Sequence, residues 1–224
     1  MASVGQKALW WAADYAWAGL AWLATIGAPD DPAVYADGSK RPVVVLPGVY
    51  ENWKFTRPLI QGLHDAGHPV HVITELGYNR RPLAAGASLL LDYLRRHQLS
   101  GVVLVGHSKG GLIGKLALLR DTEGRITALI TLCAPFHGSS RAQLLPLPSV
   151  VPLTPADELI RTLDELQLAN DRITSISVRY DEHVPEGSHL AGAKNVLLPL
   201  TGHFRLVGHP RSLAAVRAEI DALD

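Results

Sequence analysis

The 224-residue sequence has little of several things that would place it in a specialised class. Its single cysteine, Cys133, cannot form an internal disulfide, which excludes a disulfide framework and a zinc site built from several cysteines. Twenty-one basic residues balance 21 acidic ones without any block of five like charges, so no nucleic-acid partner is expected. His64, His68 and His71 are closely spaced, but a helix end, a turn and a strand start separate them. We therefore predict no metal and no cofactor.

The first segment of the chain is an almost uncharged apolar run. Residues 8–28 hold four of the five tryptophans and are long enough to cross a bilayer. Asp14 argues against a membrane span, because a carboxylate in the bilayer core costs about 2.5–3.5 kcal/mol. A secretion signal is disfavoured, because Lys7 is the only early positive charge and no clear cleavage site follows. We interpret residues 1–28 as a helix packed on the domain and leave open a peripheral membrane or lipid-interface contact. A cytoplasmic or peripheral membrane location is favoured over secretion.

Residues 29–224 alternate short β-branched runs with longer amphipathic stretches. This alternation predicts a single α/β domain, with helices on both faces of a mostly parallel sheet of about six strands. Turn residues at 28–32 mark its start. Residues 134–155 are dense in proline, serine and leucine, and a short loop and helix cap is predicted at about residues 134–170. The predicted strands are residues 42–46, 69–74, 101–106, 128–133, 173–180 and 195–200, and the predicted helices are residues 54–66, 83–97, 109–120, 155–168 and 212–223.

The clearest motif follows the third predicted strand. Residues 106–111 read Gly-His-Ser-Lys-Gly-Gly, which is G-x-S-x-G with a third glycine, and a helical segment follows without a break. A sharp turn from strand to helix leaves no room for side chains beside it, so glycine is needed on both flanks. The Ser108 hydroxyl then projects above the sheet at a helix N-terminus. This context predicts that Ser108 is a nucleophile.

With this motif the sequence resembles the α/β-hydrolase superfamily, and in particular its small lipase and esterase branch, from about residue 42 to the C-terminus. Two further segments carry the resemblance. Residues 43–50 read Val-Val-Val-Leu-Pro-Gly-Val-Tyr, with Pro47 in place of the usual histidine. Residues 131–139 read Thr-Leu-Cys-Ala-Pro-Phe-His-Gly-Ser, with Phe136 displacing the histidine by one position. The resemblance implies an α/β-hydrolase fold with a serine nucleophile.

Attack by Ser108 on an acyl carbon creates a negative oxygen that needs two fixed N–H donors. The backbone N–H of Lys109, the residue after the nucleophile, supplies one of them. The resemblance implies that Val49 supplies the other, with Tyr50 as an alternative. Losing one such donor costs about 2.7–4 kcal/mol of transition-state stabilisation.

A serine nucleophile also needs a histidine to take its proton and a carboxylate to orient that histidine, in the chain order Ser, acid, His. Asp181 follows the strand predicted at 173–180, and His203 follows the last predicted strand. Both surrounding patterns, Asp-x-x-Val-Pro and Gly-His-x-x-Leu, also resemble the acid and base loops of the superfamily. The main alternative base is His209, ahead of His183 and His189, and the alternative acids are Glu182, Asp157, Asp164 and Asp171.

The sequence therefore predicts a serine hydrolase that cleaves carboxylic esters with aliphatic acyl groups, acting on a small-molecule or lipid ester. An apolar loop at 144–154 is expected to line the acyl pocket. An acyltransferase or thioesterase with the same triad, or a non-catalytic binding protein of the same fold, stays open as an alternative. The predicted substrate contacts are Tyr50, Phe136, Leu144 and Leu145.

Overall fold

The computed structural model describes residues 2–27 and 31–223, so part of the turn predicted at 28–32 lies outside the described residues. Six strands form one sheet in the order β2-β1-β3-β4-β5-β6, and every neighbouring pair is parallel. The predicted fold class is confirmed. The strands are β1 Val43–Leu46, β2 Val70–Val72, β3 Val102–His107, β4 Ile126–Leu132, β5 Ile173–Tyr180 and β6 Lys194–Thr201.

The described helices surround this sheet and follow the predicted positions closely. The second helix begins later than predicted, because Pro58 occupies its first turn and a short 3₁₀ turn precedes it. The fifth is shorter than predicted, because Asp157 caps it and a 3₁₀ turn with Pro152 lies before that cap. The helices are α1 Val4–Ala24, α2 Arg57–His64, α3 Leu83–Arg96, α4 Lys109–Arg120, α5 Glu158–Glu165 and α6 Pro210–Asp221.

Both faces of the central strands are buried, which explains why β1 and β3 are continuous apolar runs without alternation. Successive side chains of a strand point to opposite faces. Val44 and Leu46 accordingly enter the core shared with α3 and α4, whereas Val43 and Val45 enter the core shared with α2 and α6. Packing on both faces thus fixes the centre of the sheet, and the loops follow the ends of its strands.

Helix α1 contacts the loops at the carboxyl ends of the strands through a narrow stripe. Trp10 packs on Tyr180 at the end of β5, with ring centroids 5.4 Å apart, and Trp22 stacks on Tyr78 at 5.7 Å. Asp14 on the same stripe is fully buried. None of the helices in the described part of the chain combines the length and hydropathy needed to cross a membrane. The outward side of α1 exposes Val4, Leu9, Trp11, Leu20 and Leu23.

Candidate active site

Ser108 occupies a strained turn between β3 and α4. Its φ of 50° and ψ of −120° lie outside the regions that L-residues prefer, at a cost of about 1–3 kcal/mol that the surrounding structure must offset. A Cβ atom on Gly106 would lie 2.6 Å from the Gly110 carbonyl carbon, and one on Gly110 would collide with the Leu46 backbone oxygen. Glycine is therefore required by space on both sides of the serine.

His203 and Asp181 form a buried pair at the ends of β6 and β5. The Nδ1 atom of His203 lies 2.8 Å from Asp181 Oδ2, and the Asp181 Oδ1 atom accepts the backbone N–H groups of His183 at 2.8 Å and Val184 at 2.9 Å. An ionised carboxylate only accepts hydrogen bonds, so the His203 proton belongs on Nδ1. The Nε2 atom is then free to accept a proton from a nucleophile.

The charges of this pair stabilise each other despite burial. Burial lowers the pKa of His203, but the Asp181 charge and hydrogen bond outweigh it and raise that pKa to about 9. Burial likewise raises the pKa of Asp181, but His203 outweighs it and holds that pKa well below its ordinary value. His183 behaves differently, because burial and then the His203 charge lower its pKa to about 4. His183 is therefore neutral at pH 7.

Ser108 and His203 line the same cavity, whose volume is about 220 Å³. No hydrogen bond joins Ser108 Oγ to His203 Nε2 in this structure; such bonds often tighten only when substrate is bound. Aliphatic side chains of the predicted cap close the other side of the cavity. A larger cavity of about 670 Å³ is lined by α1 and β6 and contains none of the residues predicted for the triad, the oxyanion hole or the substrate contacts. The candidate site is therefore identified by the residues that line the smaller cavity and not by cavity volume. The aliphatic residues of its wall are Leu145, Leu147, Val150 and Leu153.

The predicted substrate contacts divide into two groups. Tyr50 and Leu145 line the cavity, together with Val49. Phe136 does not, contrary to the prediction, because its ring is fully buried in the core beside α4. Leu144 is also absent from the cavity wall, because it ends a short 3₁₀ helix and is 68% exposed to solvent.

The two residues predicted to supply the oxyanion hole flank the serine. Lys109 is the first residue of α4, so its backbone N–H has no acceptor within the helix. Its side chain is buried and directed elsewhere, donating to the backbone oxygens of Asn79 at 2.9 Å and Arg81 at 2.7 Å. Val49 lies in a turn closed by a 3.3 Å hydrogen bond from the Glu51 N–H to the Gly48 oxygen, which leaves the Val49 N–H outside that turn bond.

A buried network that the sequence analysis missed joins these segments. Glu51 Oε2 accepts the backbone N–H of Gly48 at 2.6 Å and lies 2.9 Å from His107 Nδ1. The other ring nitrogen of His107 donates to the backbone oxygen of His203, also at 2.9 Å. His107, the second residue of the G-x-S-x-G motif, thus links the Gly48 turn to the histidine loop. Nothing in the motif spacing connects positions 51 and 107, and the only signal was an acidic residue three positions after glycine.

Cys133 lies behind the acid. Its sulfur, an Asp181 oxygen and a His203 nitrogen all lie within 4.8 Å of one another, and within the described ranges this is the one such group with the ligand types and closeness to hold a metal ion. Burial, and then the Asp181 charge, raise the pKa of the thiol well above its ordinary value. The cysteine is therefore a protonated neighbour of the acid rather than a thiolate.

The alternative bases and acids lie elsewhere or do other work. His209 caps α6 by accepting the Arg211 backbone N–H at 3.1 Å, and it lines the larger cavity. Asp164 pairs with His137 at 2.9 Å in the cap, and Asp157 caps α5. The remaining alternatives are His183, which lines the cavity, Glu182, which is buried, and His189 and Asp171, which do not line the cavity.

Comparisons with known proteins agree with this architecture. No family model matches the sequence, and no curated protein matches it. The Bacillus licheniformis lipase BlEst2 in its propeptide form is similar over 85% of this chain and 52% of that one, with 15% identity and a TM-score of 0.66. Its mature form is similar over 85% and 96% of the two chains, with a TM-score of 0.62. The chain has the α/β-hydrolase fold.

A Rhodococcus esterase, RhEst1, is similar at 16% identity over 84% of this chain and 94% of that one, with a TM-score of 0.57. The chain spans about half the length of the propeptide form of the lipase. At these identities the comparisons show the fold, and the fold that the sequence resemblance implies is confirmed. In an α/β-hydrolase sheet, residues that follow the carboxyl ends of strands meet at one edge. Ser108, Asp181 and His203 occupy that edge in this chain.

Proposed function

We propose that this α/β-hydrolase-fold protein is a serine hydrolase that cleaves carboxylic esters with aliphatic acyl groups through an acyl-enzyme intermediate. The observation that carries the proposal is the strained Ser108 in one cavity with His203, whose Nδ1 is bound to Asp181. The apolar wall of the cavity supports an aliphatic acyl group. Several similar solved proteins are described as lipases or esterases.

In the first half-reaction, Ser108 Oγ attacks the ester carbonyl carbon while its proton passes to His203 Nε2. Asp181 stabilises the imidazolium that forms. The carbonyl oxygen takes the negative charge and accepts the backbone N–H groups of Lys109 and Val49. The tetrahedral intermediate then collapses, and the alcohol leaves with the proton from His203.

In the second half-reaction, water replaces the alcohol. His203 takes a proton from the water as it attacks the acyl carbon, and the acid leaves when the proton returns to Ser108 Oγ. The base must be neutral for each attack, whereas Asp181 holds the His203 pKa above its ordinary value. Turnover is therefore expected to rise with pH as His203 loses its proton.

We further propose that the substrate is drawn from the surface of a lipid or of an aggregated ester. Two exposed apolar regions reach the cavity: α1, through Trp22, and the cap, through Leu145 and Leu147. On the outward side of α1, Leu20 and Leu23 are about two-thirds exposed. An ester molecule that entered the cavity between these two regions would pass from an apolar lipid surface directly into an apolar cavity.

The decisive experiment combines labelling with turnover. The protein is incubated with p-nitrophenyl esters of graded acyl length and with a fluorophosphonate probe, and the labelled residue is located by mass spectrometry. We expect the label on Ser108. The His203→Ala variant should lose both the label and turnover. The control His209→Ala removes a histidine outside the cavity and should retain turnover within about twofold. Absence of both turnover and label in the native protein would refute the proposal, and alcohol-dependent product formation would identify acyl transfer.

A further inference from the structure

The carboxylate of Asp14 binds the backbone of the histidine loop from α1. Its Oδ2 atom accepts the N–H groups of His203 and Phe204 at 3.0 Å, and its Oδ1 atom accepts those of Phe204 at 3.1 Å and Arg205 at 2.9 Å. Asp14 has no exposed surface. Successive backbone N–H groups that converge on one anion form a fixed cradle for negative charge. The segment that carries the candidate base is thus held by a residue 189 positions away.

The local sequence leaves room for this carboxylate. Gly202 precedes the histidine with a φ of +98°, and a Cβ atom there would collide with Asp14 Oδ1. On the opposite side, the backbone oxygen of His203 is bound by His107 at 2.9 Å. Both polar backbone groups of His203 are therefore fixed by buried side chains, which restricts where its imidazole can lie.

A second buried carboxyl group, that of Glu182, lies near Asp14. Glu182 is 3% exposed, and neither of its oxygens is reached by an N–H or O–H donor of the described residues. The neighbouring Asp14 carboxylate raises the pKa of this carboxyl group. A buried carboxyl group that has no hydrogen-bond donor and a second carboxylate nearby is more stable in its protonated, neutral form. Because Asp14 already accepts three N–H groups, the proton belongs on Glu182.

We propose that Asp14 is a positioning residue, whose carboxylate fixes the backbone of residues 203–205 so that His203 faces Ser108, and that protonated Glu182 allows this carboxylate to be buried. Helix α1 is thereby a part of the active site. This role of Asp14 deepens the proposed hydrolase function, and its kinetic tests rest on that function. The position of the His203 loop can be tested by NMR without it.

The electrostatics agree with this assignment. Burial, followed by the neighbouring Asp14 carboxylate, raises the pKa of Glu182 to about 8, and the nearby Asp181 charge adds to the rise. Above that pH the pair carries a second negative charge, and the cradle is expected to loosen. The other titratable and charged groups around it are Lys7 and Tyr15 of α1, and Glu51, His107, Cys133, Arg141, Arg179, His183, His203 and Arg205.

The first test is Asp14→Asn. The amide has nearly the same shape, but its NH₂ group must face backbone N–H donors, so two donors oppose each other. We expect kcat to fall at least about tenfold while KM stays within about twofold, because the base rather than the substrate is displaced. We also expect the downfield ¹H NMR signal of the His203 Nδ1 proton, assigned by its absence in His203→Ala, to weaken or move. The matched control is Trp10→Leu, which removes another α1 contact, the one with Tyr180, and leaves the Asp14 bonds untouched.

The control separates positioning from simple packing. Trp10→Leu should lower Tm but leave kcat at the native value below Tm. A native kcat and an unchanged Nδ1 signal in Asp14→Asn would overturn the proposal, as would an equal loss of kcat in the control. If the native protein neither hydrolyses esters nor binds the fluorophosphonate, the hydrolase proposal fails. The NMR signal still decides the role of Asp14.

Glu182→Gln tests the proposed protonation of Glu182 independently, and this test does not require the Asp14→Asn variant to fold. Glutamine has nearly the same shape as protonated glutamic acid and cannot ionise. The ratio of its kcat to that of the native protein should therefore rise as the pH passes about 8. A ratio that stays flat between about pH 6 and 10 would show that Glu182 does not carry the proton.

Discussion

Replacing Asp181 by asparagine should abolish most of the turnover without unfolding the chain. Asp181 Oδ1 accepts the N–H groups of His183 and Val184, so the amide oxygen of an asparagine is expected to keep that position. Its NH₂ group then faces His203 Nδ1, where it can only donate. The imidazole must carry its proton on Nε2 instead, and Nε2 can no longer accept the proton of Ser108.

The expected loss is large because the proton sits on the wrong nitrogen. In a serine protease, the same replacement of a triad acid lowers kcat by about 10⁴, which corresponds to about 5 kcal/mol of activation free energy. We expect a loss of similar order here, because Asp181 and His203 form a buried hydrogen-bonded pair with 2.8 Å between the bonded atoms. The pKa of His203 should fall as well, because burial persists while the charge that raises it is gone. The residual activity should therefore begin to rise at lower pH than in the native protein.

The assay is kcat/KM for a p-nitrophenyl ester between about pH 5 and 10, with Tm measured on the same samples. The chain offers a matched control, Asp164→Asn, because Asp164 Oδ2 lies 2.9 Å from His137 Nδ1 in the cap. That control removes an aspartate–histidine pair outside the cavity and should keep kcat/KM within about twofold. A loss smaller than about tenfold in Asp181→Asn, or an equal loss in the control, would refute the tautomer argument.

Two further predictions concern the turn and the outer surface. Gly110→Ala places a Cβ atom against the Leu46 backbone oxygen and should lower stability by more than about 1–3 kcal/mol, measured by urea unfolding. Gly19→Ala on α1, where a Cβ atom meets nothing within 4 Å, should be neutral or stabilising, and equal losses in both would contradict the steric reasoning. The double variant Leu20→Ser, Leu23→Ser should bind phospholipid vesicles at least about tenfold more weakly in a sedimentation assay. It should hydrolyse a soluble short-chain ester at the native rate. Unchanged vesicle binding would remove α1 from the lipid-surface proposal.

The fold could be predicted because its signals are local. The apolar runs of β1 and β3 and the amphipathic stretches between strands each reflect burial within a few residues, so their order alone indicates a parallel sheet. The turn at Ser108 was likewise predictable, since its flanking glycines are imposed by contacts with neighbouring backbone. Phe136 was assigned wrongly as a cavity residue, because a motif fixes where a loop lies in sequence but not the direction of its side chains. In the structure that ring packs inward, beside the buried Lys115.

Asp14 shows what a sequence pattern does not contain. In an apolar, tryptophan-rich helix it is read as a residue that disfavours membrane insertion, and that reading concerns only its cost in lipid. Its three partners are backbone N–H groups, which every residue except proline possesses, so no residue type at positions 203–205 signals the contact. Helix α1 therefore combines an outward apolar side with one inward carboxylate. If the proposed role of Asp14 is correct, any force that lifts α1 from the domain also releases the backbone of His203, so helix docking and catalysis would be lost together.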